Sequence, residues 1–391
     1  MRFLIAPDKF KGSLTAREAA DAMAAGVRSV LPDAEIDLCP LADGGEGTLD
    51  TLITATGGHI DWHDVCGPLP GMRVRAPLGW LPGDRVAVVE LATASGLQLL
   101  SYEQRDPTRT TTFGTGELIA HAVASGATKV IVGVGGSATC DGGLGIAQAC
   151  GASIRLRNGK HYAAGDRKLT GADAAKVVRI GRREGSAESA EAILQYAGVE
   201  IVAACDVGNV LFGPDGAAYV FAPQKGASAS QVKRLDDGLQ SLAGRLGLTH
   251  VAETPAAGAG GGVGFGLIGL FGARAVSGAA VVFDHVDLAA RLKGVDWCLT
   301  GEGRFDRQSL AGKTPIALAR ACQTAGVPCV VIAGALGDNL DAAYVQGVTA
   351  IVSILTRPMA LVEAFEHAGA LLQTATAQLV RVTAARTAKP K

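Results

Sequence analysis

Residues 2–38 decide the fold class: they begin Arg2-Phe3-Leu4-Ile5-Ala6-Pro7 and end Ile36-Asp37-Leu38. The first run predicts a short apolar strand that Pro7 ends. Between the two apolar runs, Thr15-Ala16-Arg17-Glu18 has the pattern of a helix capping box, and apolar residues follow it at helical spacing. The order strand, helix, strand predicts the opening of a parallel sheet with helices packed on it.

The residues after 285 repeat this rhythm. Apolar runs predict strands at 295–299, 329–333 and 350–354, and Pro315 suits the first turn of a helix that runs to Thr324. The middle of the chain is less regular, with strands predicted near 86–91, 129–134 and 201–204. We therefore predict an α/β protein in which residues 1–65 and 285–391 form one discontinuous domain. Residues 66–284 form a second α/β domain inserted into the first.

Composition limits the function classes. A chain of 391 residues with 48% hydrophobic and 19% charged residues is expected to form two soluble domains. The formal net charge of −1 excludes recruitment of nucleic acid or an anionic membrane by a long-range field. No apolar run approaches the ~18 residues that a membrane span needs.

Cysteine usage and the start of the chain predict the compartment. The eight cysteines have no C-x-x-C spacing, which favours buried reduced thiols in a cytosolic protein. The chain opens directly with a predicted strand, so we expect no signal peptide and a cytoplasmic location.

The pattern Asp-Gly-Gly-x-Gly occurs twice, at Asp43-Gly44-Gly45-Glu46-Gly47 and at Asp141-Gly142-Gly143-Leu144-Gly145. Each copy follows an apolar stretch and opens a segment that reads as helical. A carboxylate beside bare glycine backbone can hold a hydrated cation while the N–H groups take phosphate oxygens. Asp43, Glu46 and Asp141 are therefore candidate Mg²⁺ ligands. The alternative for Asp43 is a simple helix cap.

Two further loops suit an anionic ligand. Asp8-Lys9-Phe10-Lys11-Gly12-Ser13 follows the first strand, where ligands of open parallel sheets bind, although a solvated charged turn is the alternative. Gly135-Gly136-Ser137-Ala138-Thr139 follows another predicted strand and could cradle a phosphate with its N–H groups and the Ser137 and Thr139 hydroxyls. It is not a Walker A loop, because no Gly-Lys-Ser/Thr follows it.

Strand ends supply the remaining candidates. Asp206 follows the predicted strand at 201–204 and is a plausible base for a substrate hydroxyl, or else an Asx turn. Glu302, Asp306 and Lys313 follow the strand at 295–299 and should face the same sheet edge as Lys9 and Asp43. The glycine-rich run at 258–264 serves either a ligand or close helix packing. The His and Asp residues at 59–64 lack zinc spacing and predict a surface loop.

With these residues in hand, the chain resembles the bacterial D-glycerate kinases of the two-domain α/β type. The resemblance runs from end to end. It rests on Ala6-Pro7-Asp8-Lys9-Phe10-Lys11-Gly12-Ser13-Leu14, Pro40-Leu41-Ala42-Asp43-Gly44-Gly45-Glu46-Gly47-Thr48, the 135–139 loop, Pro223-Gln224-Lys225-Gly226-Ala227, and Thr300-Gly301-Glu302-Gly303 through Lys313. The chain departs from the family's usual residues at Cys140, Val210 and Ala222, none of which is a candidate charged group.

The resemblance implies a flavodoxin-like domain interrupted by a second α/β domain, with the active site between them. It also implies ATP-dependent, Mg²⁺-requiring phosphorylation of glycerate at the 2-hydroxyl, giving 2-phosphoglycerate. On this basis Lys9, Lys11 and Mg²⁺ near Asp43 and Glu46 neutralise the migrating charge, and Asp206 accepts the hydroxyl proton. Arg109 or Lys225 is the candidate clamp for the carboxylate of glycerate.

Three alternatives stay open from the sequence. One is a kinase for another small hydroxy acid, and a second is a non-catalytic nucleotide or phosphate sensor. A dinucleotide oxidoreductase is disfavoured, because the first βα turn carries lysines in place of G-x-G-x-x-G. The expected ligands are small molecules, and a homo-oligomer is left open.

Overall fold

The structure is a computed structural model that describes residues 1–83, 85–182, 194, 196 and 198–387. Close packing divides the chain into two units, Met1–Asp43 with Ala279–Lys391, and Gly44–Gly278. Among the described residues, no helix is both long and apolar enough to cross a membrane. The strands are, in chain order, β1 (Arg2–Ile5), β2 (Glu35–Leu38), β3 (His59–Cys66), β4 (Arg73–Leu81), β5 (Val86–Glu90), β6 (Lys129–Gly133), β7 (Ala152–Leu156), β8 (His161–Tyr162), β9 (Val177–Arg182), β10 (Glu200–Ala204), β11 (Arg274–Val276), β12 (Trp297–Phe305), β13 (Cys329–Leu336) and β14 (Val348–Ser353).

The α-helices connect these strands, and single 3₁₀ turns lie at Leu97–Leu99, Tyr102–Gln104, Gly171–Lys176, Pro223–Lys225 and Ser309–Ala311. The helices are α1 (Ala16–Arg28), α2 (Thr48–Thr56), α3 (Leu91–Ser95), α4 (Phe113–Ala124), α5 (Leu144–Ala149), α6 (Ala217–Phe221), α7 (Ala229–Leu246), α8 (Thr249–Ala252), α9 (Ala259–Phe271), α10 (Gly278–His285), α11 (Leu288–Arg291), α12 (Thr314–Ala325), α13 (Ala342–Val345), α14 (Leu361–Glu366) and α15 (Ala368–Thr387).

The first unit contains a five-stranded sheet in the order β14-β13-β12-β1-β2, and every pair in it is parallel. Counted within the unit, this is the flavodoxin-like order 2-1-3-4-5, so the predicted fold class is confirmed. The second unit is inserted between β2 and β12: the chain enters it after β2 and returns to the first unit before β12.

Helix α1 forms as its sequence predicts. The Thr15 hydroxyl accepts a hydrogen bond from the Glu18 N–H at 3.2 Å, and the Glu18 carboxylate accepts one from the Thr15 N–H at 2.8 Å. This pair of bonds is the predicted capping box. The buried face of α1, which includes Met23 and Val27, joins the core of the first unit, and α1 packs against α15.

The second unit contains a mixed six-stranded sheet in the order β11-β10-β6-β5-β4-β3. Strands β5, β6, β10 and β11 are parallel, whereas β3 and β4 add to the edge in antiparallel fashion. A separate antiparallel sheet has the order β8-β7-β9. The apolar residues of the parallel strands, such as Val89 and Val132, are buried in the core of this unit.

Two sequence expectations differ from the structure in the same region. The stretch 59–64, predicted as a surface loop, is part of strand β3, which pairs with β4 along its whole length. It is largely exposed because it is an edge strand, and polar residues are usual there. This pairing also places residues 44–65 in the second unit. The units therefore divide between residues 43 and 44 and between residues 278 and 279, whereas the sequence predicts divisions between 65 and 66 and between 284 and 285.

The glycine-rich run at 258–264 serves close packing of backbone. Gly260, Gly261 and Gly262 all have positive φ, and regular helix starts only after them. A Cβ on Gly261 would lie 1.9 Å from the carbonyl oxygen of Thr139, so only glycine fits there. The run therefore packs against the backbone of residues 139–142 and fixes its position.

Two helical glycines give a matched test of the packing. Gly26 in α1 is buried, and a Cβ there would lie 2.6 Å from the Gln373 carbonyl oxygen and 2.7 Å from the Thr376 Cβ. Gly244 in α7 is exposed, with nothing within 4 Å of such a Cβ. We expect Gly26→Ala to destabilise the protein by about 1–3 kcal/mol through overpacking. Gly244→Ala should stabilise it by about 0.5–1 kcal/mol through helix propensity.

Thermal unfolding of the two variants, followed by circular dichroism beside the unchanged chain, measures both effects. Equal melting temperatures for the two variants would contradict the packing of α1 against α15.

Candidate functional site

The carboxyl edge of the first unit's sheet gathers the acidic and basic residues that follow β1 and β12. These two strands are neighbours, and the Asp8 N–H donates to the Gly301 carbonyl at 2.9 Å. Chain connections leave β1 and β12 in opposite directions across the sheet, which makes this edge the topological switch point where α/β sheets bind ligands. Asp8 and Glu302 therefore lie where sequence and topology together predict a site.

Asp8 is a buried carboxylate at this edge. Only 5% of it is exposed, and one carboxylate oxygen accepts a hydrogen bond from the Lys9 N–H at 2.7 Å. Burial raises the pKa of Asp8 to about 6, an effect that the Lys9 charge opposes and the Asp43 charge reinforces. The Lys9 Nζ lies 3.7 Å from an Asp43 carboxylate oxygen. Asp8, Lys9 and Asp43 thus form one charged group within the first unit.

Glu302 is the second buried acid, with 9% of the residue exposed. Burial raises its pKa to about 7, Ser309 and the Lys313 charge oppose the rise, and the charges of Asp8 and Asp43 add to it. The Glu302 Oε1 atom is buried and has no hydrogen-bond partner among the described residues. An unpaired buried carboxylate oxygen is costly, which is typical of a group that meets a ligand.

Glycine lets the chain pass close to this acid. A Cβ on Gly303 would lie 2.9 Å from the Lys11 backbone nitrogen, so the β12 strand can run beside the Lys9–Lys11 turn only with glycine there. Lys11 itself is exposed at the tip of that turn.

The other predicted residues of this edge have distinct positions. Lys313 is the N-cap residue of α12, and its charge acts on Glu302. Asp306 accepts a hydrogen bond from the Gln308 N–H at 2.9 Å and pairs with Arg304 at 3.0 Å, so it shapes the turn after β12. Thr314 is buried beside Asp8, and its side chain opposes the rise of the Asp8 pKa. The Thr314 hydroxyl has no hydrogen bond of normal geometry to a described residue.

Asp8, Asp43 and Glu302 fit a hard cation. All three offer carboxylate oxygens, the ligands that Mg²⁺ prefers, and the orphaned Glu302 Oε1 lacks any other partner among the described residues. In the described part of the chain, no three acidic side chains bring their oxygens within 4.8 Å of one another. Mg²⁺ at phosphate sites commonly takes only one or two carboxylates and completes its shell with water and phosphate oxygens. This edge therefore suits Mg²⁺ that arrives with a phosphorylated ligand.

The parallel strands of the second unit also end at one edge, and Asp206 lies there after β10. Asp206 is half-buried, and its Oδ1 accepts a hydrogen bond from the Ser277 hydroxyl at 2.6 Å. Ser277 follows β11, the neighbouring parallel strand. Two adjacent strand ends thus hold this carboxylate in a fixed orientation.

The first glycine corner lies over the same edge. A Cβ on Gly133 would lie 2.6 Å from the Gly44 carbonyl oxygen, and one on Gly135 would lie 2.6 Å from the Gly45 Cα. The backbone of residues 44–45 therefore packs directly on the 133–135 loop. Glu46, which follows, is exposed. Glycine is required at these positions because two stretches of main chain are in contact.

The 135–139 loop has an open part and a buried part. Gly135 and Gly136 are accessible, whereas Ser137 and Thr139 are buried. The Thr139 hydroxyl donates to the Thr110 carbonyl at 3.1 Å, so it holds the loop. Lys225 is buried, with 2% of the residue exposed. Its Nζ donates to the Ser137 hydroxyl at 2.7 Å and to the Thr139 carbonyl at 2.6 Å. Burial lowers the pKa of Lys225, against the charges of Cys140 and Asp141.

Asp141 is fully buried, and its two oxygens accept four hydrogen bonds, from the N–H and hydroxyl of Thr112 and from the N–H groups of Gly143 and Gly145, at 2.8–3.2 Å. Burial raises its pKa in spite of these bonds. Its oxygens are occupied by Thr112 and by the N–H groups of Gly143 and Gly145, an arrangement that holds the second glycine corner; metal ligation by Asp141 stays a prediction. Arg109, the other predicted substrate residue, is exposed.

Sequence reasoning missed four residues of these edges: Asp8, Thr314, Ser277 and Glu90. Asp8 directly follows Pro7 at the carboxyl end of β1, and that position alone could have marked it as a candidate site residue. Glu90 ends β5, is 3% exposed and accepts the Leu49 N–H at 2.6 Å, which anchors the start of α2. Ser277 gave no pattern, and the Gly312-Lys313-Thr314 triplet lacks the spacing of a P-loop. Both residues have neighbours from distant parts of the chain, Asp206 for Ser277 and Asp8 for Thr314.

Comparisons with known proteins agree with this architecture. A family model described as "Glycerate kinase family" matches residues 3–384. A glycerate kinase of Halalkalibacterium halodurans is 41% identical over 385 residues, which is 97% of each chain. The glycerate 2-kinase of Escherichia coli K12 is 40% identical over 371 residues, 94% of each chain. A crystal structure from Salmonella typhimurium LT2, of a protein proposed to be glycerate kinase 2, aligns with a TM-score of 0.80 at 38% identity over 99% of both chains. The chain therefore belongs to the glycerate kinase family, whose members are kinases.

Proposed function

We propose that this protein transfers the γ-phosphoryl group of ATP to the 2-hydroxyl of D-glycerate, giving 2-phosphoglycerate and ADP, with Mg²⁺ as cofactor. The observation that carries the proposal is the group of acids and neighbouring lysines at the switch point of a glycerate kinase family member: the buried Asp8 and Glu302 and the partly exposed Asp43, with Lys9 and Lys313. The name of the Escherichia coli relative, glycerate 2-kinase, supports the position of transfer.

Phosphoryl transfer requires alignment and compensation of negative charge more than covalent chemistry from the protein. Lys9 and Lys11 extend from the turn after β1, and Lys313 begins α12, so three cations can reach phosphate oxygens at this edge. Bound near Asp8, Asp43 and Glu302, Mg²⁺ would supply further positive charge to the same oxygens. In this arrangement the lysines align the phosphate, and the neighbouring acids compensate the lysine charges before it binds.

Asp206 is the proposed general base. It is half-buried, and the Ser277 hydroxyl donates to its Oδ1, which fixes the plane of the carboxylate. In this role it accepts the proton of the glycerate 2-hydroxyl as the oxygen bonds to phosphorus. Arg109, exposed and cationic, remains the proposed partner of the substrate carboxylate. Lys225 becomes a positioning residue, because its ammonium group is committed to Ser137 and Thr139.

The test is ADP release by the purified chain with ATP, Mg²⁺ and either D-glycerate, tartronate or glyoxylate. Enolase added to the product distinguishes the positions, because it dehydrates 2-phosphoglycerate directly and 3-phosphoglycerate only after a mutase has acted. We expect ADP with D-glycerate and an immediate enolase signal. ADP without that signal would overturn the position of transfer, and ADP with another acid alone would overturn the substrate.

Removing the proposed base should lower turnover without unfolding the protein. We expect Asp206→Asn to reduce kcat by at least ~100-fold, since general bases typically contribute 10²–10⁴-fold. The matched control is Asp215→Asn, an exposed acid in the loop after the same strand. Steady-state kinetics and a melting curve on both variants separate chemistry from stability. Turnover of Asp206→Asn within a few-fold of the control would remove Asp206 from this role.

The raised pKa of Glu302 predicts a pH-dependent stability. In the folded state burial raises the pKa of Glu302 to about 7, whereas the unfolded carboxyl has its ordinary pKa of 4.5. This contribution to stability is complete below pH 4.5 and is lost as pH rises through 7. Glu302→Gln, which stays neutral, should therefore gain stability relative to the unchanged chain between pH 5 and pH 8, by at most about 3 kcal/mol.

Thermal melts at the two pH values, with the exposed Glu253→Gln as control, measure that difference. Added Mg²⁺ should raise the melting temperature of the unchanged chain at pH 8 more than that of Glu302→Gln, because only the unchanged chain has this carboxylate. A stability difference that does not change with pH would contradict the buried, charge-bearing state of Glu302.

A further inference from the structure

Three cysteines come together at the amino end of the first unit's sheet. Cys298 on β12 and Cys329 on β13 are direct partners in the parallel pair, and Cys322 approaches them from α12. Their sulfur atoms all lie within 4.8 Å of one another, and all three residues are 0% exposed. Cys298 lies well before the other two in sequence, and six residues separate Cys322 from Cys329, so no C-x-x-C spacing reveals the cluster.

We propose that Cys298, Cys322 and Cys329 form a three-thiol site for a soft monovalent metal ion of the Cu(I) class. Three sulfurs within 4.8 Å of one another leave a point no more than about 2.8 Å from each. Metal–thiolate bonds of the kind found at zinc are about 2.3 Å long, so small side-chain rotations close the gap. Sulfur donors without oxygen or nitrogen favour soft ions such as Cu(I).

The charge of the ion follows from the burial of the site. An unbalanced charge in a dry core is strongly unfavourable. One Cu(I) ion that displaces a single proton binds one thiolate and two thiols, and the site remains neutral. The displaced proton passes to solvent, and no oxidation occurs. Zinc would need two thiolates and commonly a fourth ligand, and the cluster has three members among the described residues.

The site has an approach and is separate from the proposed catalytic edge. Residues 323–326, which follow Cys322 and end α12, are exposed, so opening of one helix turn would admit an ion. Along β12, Cys298 precedes Glu302 by four residues, which is about 13 Å of strand. Occupancy of the thiol site can therefore be measured independently of the kinase reaction.

The test uses the full chain, reduced and freed of metal. Under nitrogen it is titrated with Cu(I) against a chromophoric Cu(I) chelator, and in a second series with Ag(I), a redox-inert ion of the same charge and softness. We expect one tightly held equivalent, read by native mass spectrometry, and affinity at least ~10-fold lower in Cys322→Ala. The matched control is Cys39→Ala, another buried free cysteine of the first unit, which should keep the ion.

The metal's X-ray absorption spectrum gives a readout that does not depend on any variant folding. Three sulfur neighbours and no oxygen or nitrogen are expected. Failure of the unchanged chain to outcompete the chelator, or equal loss in both variants, would show an inert cluster of core thiols. Tight binding of Zn(II) without binding of Cu(I) or Ag(I) would overturn the assignment to a monovalent ion.

Discussion

The side-by-side placement of β1 and β12 is the constraint on which the site depends. Because all five strands of the first unit are parallel, both carboxyl ends fall at one edge, and the residues that follow them must share it. Asp8 and Glu302 are therefore forced close together and out of water, and their pKa values rise mainly through burial. A fold that gained only stability from this edge would fill it with apolar residues. The buried carboxylates make this edge a candidate site for a charged ligand.

Close contact between stretches of main chain is the corresponding constraint in the second unit. Gly44 and Gly45 touch the loop at 133–135, and Gly261 touches the backbone at Thr139. Side chains at these glycines would push the loops apart. The glycines therefore allow residues 44–45 to pack against the ends of β6 and β10. Asp141 and Lys225 then fix the same loops from inside with hydrogen bonds. Buried polar groups with full hydrogen bonding are suited to holding one conformation.

Local patterns predicted the elements well, and long-range pairing was the harder part. The capping box at Thr15 and the proline at the start of α12 depend only on neighbouring residues, so sequence was sufficient for both. The polar strand β3 forms because β4 offers it a partner, and nothing within 59–66 announces that partner. For the same reason the predicted boundary at 65/66 includes two elements, α2 and most of β3, that pack with the second unit.

The site shows the same division. Lys9, Asp43 and Glu302 could be predicted to share an edge because strand ends of a parallel sheet converge. The state of each group could not be predicted, since it depends on atoms brought in from elsewhere. Asp141 and Asp43 begin identical five-residue patterns, yet Asp141 is fully enclosed by Thr112 and backbone N–H groups, whereas Asp43 is partly exposed beside Lys9. The same Asp-Gly-Gly-x-Gly pattern thus occurs in two different environments.

The two units differ in how completely their buried charges are hydrogen-bonded. The first unit buries Glu302 with one carboxylate oxygen, Oε1, that has no hydrogen-bond partner among the described residues, so it gains most from a ligand that brings a cation. In the second unit the buried Asp141 and Lys225 both have hydrogen-bond partners, Asp141 with Thr112 and the N–H groups of Gly143 and Gly145, and Lys225 with Ser137 and Thr139. A buried carboxylate oxygen without a partner is costly, whereas buried groups with full hydrogen bonding hold one conformation. Of the two units, the first therefore has more to gain from a bound cation.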